Sequence, residues 1–319
     1  MRILITGCAG FICTNFTKYW LDNYTEDTVI GVDCLTYAAN LPALAELKLY
    51  DKFIFYKTNI CDRQAMEKIF QNEATDIVIN FAAESHVDRS IEDSRIFVET
   101  NVLGTQTLLD LCLQYDVKRF HQISTDEVYG DLPLNTDDTF SENSPLKPSS
   151  PYSASKAAAD LLVLSYFRTH GLSVSISRSA NNYGKYQHTE KLIPKVIDYA
   201  LSNRTFPIYG NGLNVRDWIH VNDHCRAIDL IVRNAPSGSV YNVGGNTLLS
   251  NIALIKLILR QLGKSEDLII FVADRKGHDR KYALNCGKLI SELGWKPQTN
   301  FSDGLKETIN WYKILLKST

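Results

Sequence analysis

An apolar run, Ile3-Leu4-Ile5-Thr6, delivers the chain into Gly7-Cys8-Ala9-Gly10-Phe11-Ile12-Cys13. A short β-rich run that ends on glycine and is followed by a helical pattern reads as strand, tight turn and helix. In dinucleotide-binding loops of this kind the first glycine permits the turn. The second lets the backbone approach a pyrophosphate, and the third allows close packing of helix on strand. Gly7 and Gly10 keep that spacing, and Cys13 stands in the third place. The expected consequence is a helix displaced slightly from the sheet.

The rest of the chain repeats the unit. Strand patterns over residues 3–6, 29–33, 53–56, 77–81, 119–124 and 174–178 alternate with helical patterns over 16–23, 41–50, 63–71, 94–115 and 152–170. Such alternation predicts an α/β fold, a Rossmann-type doubly wound parallel sheet with helices on both faces. A loop rich in Asp, Thr, Pro and Ser runs from 130 to 151, long enough to be a lid or binding loop. After residue 178 turn signals cluster at 181–184, 209–212 and 243–245, which predicts a smaller C-terminal lobe interleaved with returning elements of the first.

The second strand ends in Asp33, and no arginine follows over residues 34–40. A carboxylate there accepts from both ribose hydroxyls and repels a 2′-phosphate, so the expected cofactor is NAD in preference to NADP. Asp62, after the third strand, is placed either to meet the adenine edge or to cap the helix that follows it.

Two further clusters carry chemistry. Tyr152 and Lys156 are four residues apart at the start of a helical run, which puts both on one face. An ammonium beside a phenol favours the phenolate and makes it a usable base. Ser124-Thr125-Asp126-Glu127 stands at the C-terminal end of a strand, where open α/β sheets place their ligands. Each cluster alone has an ordinary reading, a surface pair or a helix cap; together with the loop they point to catalysis.

Composition excludes several classes. The 319 residues are 45% hydrophobic and 22% charged, and 34 basic against 36 acidic residues leave a net charge of −2, which speaks against nucleic acid as a partner. The seven cysteines, at 8, 13, 34, 61, 112, 225 and 286, form no CxxC pair, so neither a metal site nor a disulfide framework is expected. The first apolar run is too short for a signal peptide, and no stretch has the length of a membrane span. A cytoplasmic protein with no membrane partner is the expectation.

Seven stretches, GFI, FAAESHVDRS, STDEVYGD, PYSASKAAAD, NNYGKYQHTEKLIP, YGNGLNVRDWIHVNDHC and DRKGHDRKYAL, resemble the extended short-chain dehydrogenase/reductase family in its dTDP-glucose 4,6-dehydratase branch. The resemblance implies NAD, tightly bound and recycled, and a nucleotide-diphosphate hexose as substrate. It implies catalytic roles for Thr125, Asp126, Glu127, Tyr152 and Lys156. Gly7, Gly10, Phe11, Ile12, Asp33, Ile60, Asp62, Ala82 and Ala83, with Tyr152 and Lys156, are then the cofactor contacts. Ser85, His86, Asn181, Glu190, Lys191, Arg216, Arg275 and His278 are the substrate contacts. Arg216 could instead pair with Asp217, and His86 could be a buried core histidine.

The implied division is an NAD-binding domain over 1–178 with a returning segment about 213–243. Residues 179–212 and 244–319 would form the nucleotide-sugar lobe. A homodimer is implied through helices over roughly 101–115 and 152–168, whose Leu108, Leu109, Leu111, Leu161, Leu162 and Leu164 could equally be core.

The chain departs from the family at Cys8, Cys13, Ala180 and Lys185. It departs again at Thr247, where a diphosphate-contacting asparagine is expected. The departures surround the substrate, so UDP-GlcNAc or UDP-glucose, with a 4-keto-6-deoxy or 5,6-ene product, stands as an alternative to dTDP-glucose. A 4-epimerase, a decarboxylase and a non-catalytic nucleotide-sugar or NAD-binding module are further alternatives.

Overall fold

The computed structural model describes residues 1–316. Its first half runs β1 (Arg2–Thr6), α1 (Phe11–Asn23), β2 (Thr28–Asp33), α2 (Leu41–Leu47), β3 (Phe53–Lys57), α3 (Arg63–Glu73), β4 (Ile77–Asn80), α4 (Val87–Glu92), α5 (Arg95–Phe97), α6 (Gly104–Gln114), β5 (Arg119–Thr125), α7 (Pro151–His170) and β6 (Val174–Ser179). The second half runs β7 (Asn181–Tyr183), α8 (Leu192–Leu201), β8 (Phe206–Tyr209), β9 (Val215–His220), α9 (Val221–Asn234), β10 (Ser239–Val243), β11 (Leu248–Ser250), α10 (Asn251–Leu262), β12 (Ile269–Val272), α11 (Gly287–Leu293) and α12 (Phe301–Leu315).

Seven parallel strands form the main sheet in the order β3-β2-β1-β4-β5-β6-β10. Alternate side chains of β1 serve opposite faces, as the two-residue strand period requires. Ile3 and Ile5 pack with Phe16, Trp20, Cys225 and Ile228 of α1 and α9, while Leu4 packs with Met66, Leu108 and Val163 of α3, α6 and α7. The strand order reverses between β1 and β4, where doubly wound sheets open a crevice beyond their carboxyl ends.

The smaller lobe holds a three-stranded sheet, β11-β9-β7, and a parallel pair, β12-β8, around a core from α8, α10 and α12. β9 belongs to this small sheet, while α9 and β10 return to the large domain. The loop of residues 130–150 has no long element of its own. It is tied to the C-terminal segment by Leu132 N–H to the Lys281 carbonyl (3.1 Å) and Phe140 N–H to the Ala283 carbonyl (2.8 Å).

Three local details differ from the sequence expectations. α1 begins at Phe11, directly after Gly10, five residues earlier than the apolar pattern indicated. The helix expected over 94–115 passes through a π-helical turn, Val98–Leu103, between α5 and α6. Leu108, Leu109 and Leu111 are fully buried core residues, because that face of α6 lies against the sheet; Leu161 is exposed.

Candidate active site

The cofactor side is built largely from backbone. Gly7 has φ +70°, and its N–H donates to the Val32 carbonyl of β2 (2.8 Å), while Gly10 N–H donates to the Gly7 carbonyl (2.9 Å) and closes the turn between β1 and α1. A Cβ at Gly7 would stand 2.9 Å from the backbone of Ala82. Gly10 precedes α1 without a side-chain cap, and the first turn carries no acid, so its free N–H groups and dipole suit a pyrophosphate.

Gly7, Gly10, Asp33, Ile60, Ala82 and Ala83 line one cleft of about 150 Å³. Phe11 and Ile12 open α1 beside it. The Asp33 carboxylate accepts from Ala9 N–H (2.9 Å) and Leu35 N–H (2.7 Å), so it holds the loop as well as facing the cleft. Asp62 takes the capping role, accepting from Ala65 N–H (3.0 Å) at the start of α3, and Thr58 and Asn59 join Ile60 along the cleft. Cys13 is fully buried in the core cluster that includes Phe16, Val221 and Cys225. This slot, with its glycine cradle, first-turn amides and acid at the second strand's end, fits a dinucleotide without a 2′-phosphate.

The reacting groups stand where β5 ends. Thr125 closes the strand, and its hydroxyl accepts from Glu127 N–H (3.2 Å), turning the chain into the 3₁₀ segment Asp126–Tyr129. Asp126 is buried, and its Oδ2 has no protein partner. Burial, with the charge of Glu127 adding, pushes the Asp126 carboxyl well above the usual carboxylate range. Glu127 is also raised by burial, against the opposing charge of Arg216, and it faces the second cleft. Two adjacent carboxyls thus differ in setting, one sealed in the interior with Oδ2 unpartnered and one open to a ligand.

Tyr152 and Lys156 share a face of α7, whose start is fixed by the reciprocal bonds of Ser150 and Ser153 and by Pro151. The Lys156 ammonium donates to the Ile123 carbonyl of β5 (2.6 Å), and burial brings it down to about 8. Burial pushes the Tyr152 phenol above its ordinary range, the Glu127 charge adds to this, and hydrogen bonding with Thr125 acts the other way. The lowering expected from the Tyr–Lys spacing is absent in the protein alone, because the ammonium is engaged by a carbonyl and the phenol is sealed beside Phe97.

The second cleft, about 270 Å³, lies between the lobes, and Ser85, His86, Asn181, Glu190, Lys191, Arg216, Arg275 and His278 all line it with Glu127. Arg216 is buried and donates to the carbonyls of Asp279 (2.9 Å) and Val215 (2.8 Å), over the Tyr282 ring. Asp217 instead accepts from Thr247 N–H (2.7 Å), so the two do not pair. His86 is half-buried, its Nε2 3.6 Å from Glu190, and therefore faces the cleft. Arg275 meets Asp88 at 3.4 Å, and Lys191 donates to the Ser85 carbonyl (3.0 Å). Asn181 Oδ1 is buried without a partner.

Thr247 lies on the turn held by Asp217 and does not line the cleft. Asn251, the first residue of α10, does. Sequence reasoning also passed over Asp88, Lys195, Tyr209 and Tyr282 as lining residues. Asp88 lies within the FAAESHVDRS stretch, which was the available signal.

Residues 4–308 match the family model described as GDP-mannose 4,6 dehydratase. A dTDP-glucose 4,6-dehydratase of Haemophilus influenzae is 48% identical, the alignment covering 98% of each chain. The chain belongs to the dTDP-glucose 4,6-dehydratase branch of the extended short-chain dehydrogenase/reductase family. A low-salt glycan biosynthesis protein of Haloferax volcanii, 49% identical over 98% of both chains, is a second relative. A dTDP-glucose 4,6-dehydratase of Streptomyces venezuelae, solved with NAD and TYD bound, superposes with a TM-score of 0.95 at 45% identity. That match covers 98% of this chain and 97% of the other.

Proposed function

We propose that this chain is an NAD-dependent nucleotide-hexose 4,6-dehydratase that converts dTDP-glucose to dTDP-4-keto-6-deoxyglucose. The observation that carries the reading is the adjacent pair Asp126 and Glu127, one carboxyl buried with an unpartnered oxygen, where burial favours its protonated form, and its neighbour open to the charged cleft. The relatives named dTDP-glucose 4,6-dehydratase support the choice of sugar nucleotide.

Tyr152, acting as the phenolate that the neighbouring Lys156 ammonium stabilises, takes the proton of the 4-hydroxyl and becomes neutral, while Thr125 holds the same oxygen. NAD, which the turn at Gly7 and Gly10 and the Asp33 carboxylate would hold, would supply a reversible hydride acceptor, so that the overall conversion carries no net redox change. A ketone at C4 acidifies the C5 hydrogen, and Glu127 takes that proton. Asp126 gives its own proton to the departing 6-hydroxyl, and water leaves across C5 and C6. Arg216 and Arg275 hold the diphosphate, for which guanidinium forks are suited. His86, Ser85 and Asn181 border the hexose, and Asp62, which caps α3 and stands beside Thr58 outside the lining of the dinucleotide cleft, is assigned to the adenine edge.

Domain roles follow the same reading: residues 1–178 with the returning α9 and β10 bind NAD, and residues 179–220 with 244–316 bind the nucleotide sugar, β9 belonging to the small sheet. We take the unit to be a homodimer, supported by exposed Leu103 and Leu161 on the helical stretches over 101–115 and 152–168. Light scattering showing a monomer would remove that element. Seven free thiols support a reducing compartment such as the cytoplasm. Among the described residues no helix is long and apolar enough to cross a membrane.

The test is incubation of the purified protein with dTDP-glucose, UDP-glucose and UDP-GlcNAc without added reductant. Loss of one water from dTDP-glucose and a 4-keto-6-deoxy product by NMR are expected. Water loss from UDP-GlcNAc alone would overturn the substrate, and epimerised product without loss of mass would overturn the reaction.

A further inference from the structure

The proton-transfer groups stand on two separate elements, and one buried polar chain joins them. Asp160 lies on α7 one turn beyond Lys156 and two beyond Tyr152, on the same face, and is fully buried. Its Oδ2 accepts from Arg178 Nε of β6 at 2.8 Å. The same guanidinium donates through NH1 to the Tyr129 hydroxyl (2.9 Å), which donates in turn to Asn242 Oδ1 of β10 (2.7 Å). Tyr129 closes the 3₁₀ turn that carries Asp126 and Glu127, and it stacks on Phe140.

We infer that Arg178 is a positioning residue whose two arms set the register between the Tyr152–Lys156 helix and the Asp126–Glu127 turn. A buried ion pair is weak evidence for stability, since apolar residues of similar volume serve as well. A planar fork with fixed donor directions does supply geometry, which an apolar contact does not. The four members span α7, β6, the 3₁₀ turn and β10, so a shift of either reacting group must break a bond in the dry interior. The outcome is that oxidation at C4 and elimination across C5 and C6 act on a sugar held in one pose. Arg178 itself touches neither the sugar cleft nor the dinucleotide cleft.

The inference rests on the dehydratase reading and is tested with the NAD-loaded enzyme and dTDP-glucose, using Tyr129→Phe, Arg178→Lys and the double variant. Circular dichroism, overall turnover and the absorbance of reduced cofactor during turnover are followed together. Each single variant is expected to keep its fold and C4 oxidation while elimination slows on the order of 10- to 100-fold, so reduced cofactor accumulates. The double variant is expected to lose no more than the worse single, as members of one network do.

Turnover of both singles within about twofold of wild type, or proportional loss of oxidation and elimination, would overturn the register. If Arg178→Lys does not fold, Tyr129→Phe decides alone, since it removes one hydroxyl and keeps the ring. Failure of the wild-type enzyme to dehydrate any nucleotide hexose would instead overturn the reading beneath it.

Discussion

The two clefts of this molecule are built by different means. The dinucleotide cleft is shaped by backbone: a turn at positive φ, a helix start with free amides, and a strand end, with Asp33 as its main charged group. The nucleotide-sugar cleft is shaped by charged and polar side chains that reach it from both lobes, His86 from one and Arg216, Arg275 and Lys191 from the other. Backbone recognition tolerates side-chain replacement wherever the main chain keeps its course. Recognition by convergent charges fails one residue at a time.

The largest effects should come from the acid–base pair at the edge of the sugar cleft. Asp126→Asn and Glu127→Gln are each expected to lower dehydration by about 10²- to 10⁴-fold while reduced cofactor still forms. Unimpaired water loss in both, measured by product mass, would sink their assignment. Asp126→Asn has a second signature. Because burial holds the proton on Asp126 above its ordinary 3.8, the native chain binds more protons than the unfolded one above that pH. This carboxyl's contribution to stability therefore falls as pH rises. The amide variant should gain melting temperature relative to wild type as pH is raised from about 4 to 7, and an unchanged difference would contradict the buried acid.

Next in size, Gly7→Ala attacks the dinucleotide cleft where it is vulnerable, in its main chain. A left-handed residue costs about 1–2 kcal/mol in an alanine, and the added Cβ meets the Ala82 backbone at 2.9 Å. Isothermal titration should show NAD binding lost or weakened by more than tenfold, about 1.4 kcal/mol. Retained affinity would show that the turn is less constrained than its geometry says.

Arg216→Met should raise KM for dTDP-glucose by roughly 10- to 150-fold, the equivalent of about 1.5–3 kcal/mol for lost bonds to a charged group, with kcat changed less. A fall in kcat at constant KM would move Arg216 from the diphosphate to the reacting end.

The smallest effect belongs to Cys13→Gly. Its buried thiol fills core space, so replacement should lower stability by about 1–2 kcal/mol, through helix propensity and a small void. Turnover should remain. Tighter NAD in that variant would show that the cysteine does displace α1.

The same contrast explains what could be read from the chain before its fold was seen. The dinucleotide cleft was legible because strand, glycine turn and helix are contiguous, and one short stretch contains Gly7, Gly10 and the start of α1. Asp126, Glu127, Tyr152 and Lys156 were legible as two local patterns at a strand end and a helix start. Asp88, Tyr209 and Tyr282 were not, because they meet only when three segments far apart in sequence close on one cleft. α4 escaped because six mostly polar residues show no helical period. Thr247 was misplaced since the antiparallel β9–β11 register sets Leu248 opposite Asp217 and turns the neighbouring backbone to that carboxylate. Asn251, four residues on, then reaches the cleft from the first turn of α10.

One topological feature reaches past chemistry. The last strand of the large sheet, β10, is laid beside β6 only after the chain has left to build β7, β8 and β9 in the other lobe. A gene cut after residue 178 would therefore yield a product whose outermost strand shows a bare row of amides and carbonyls, an invitation to pair with other molecules. The two lobes are thus threaded through one another, and any cut that separates them uncovers that edge.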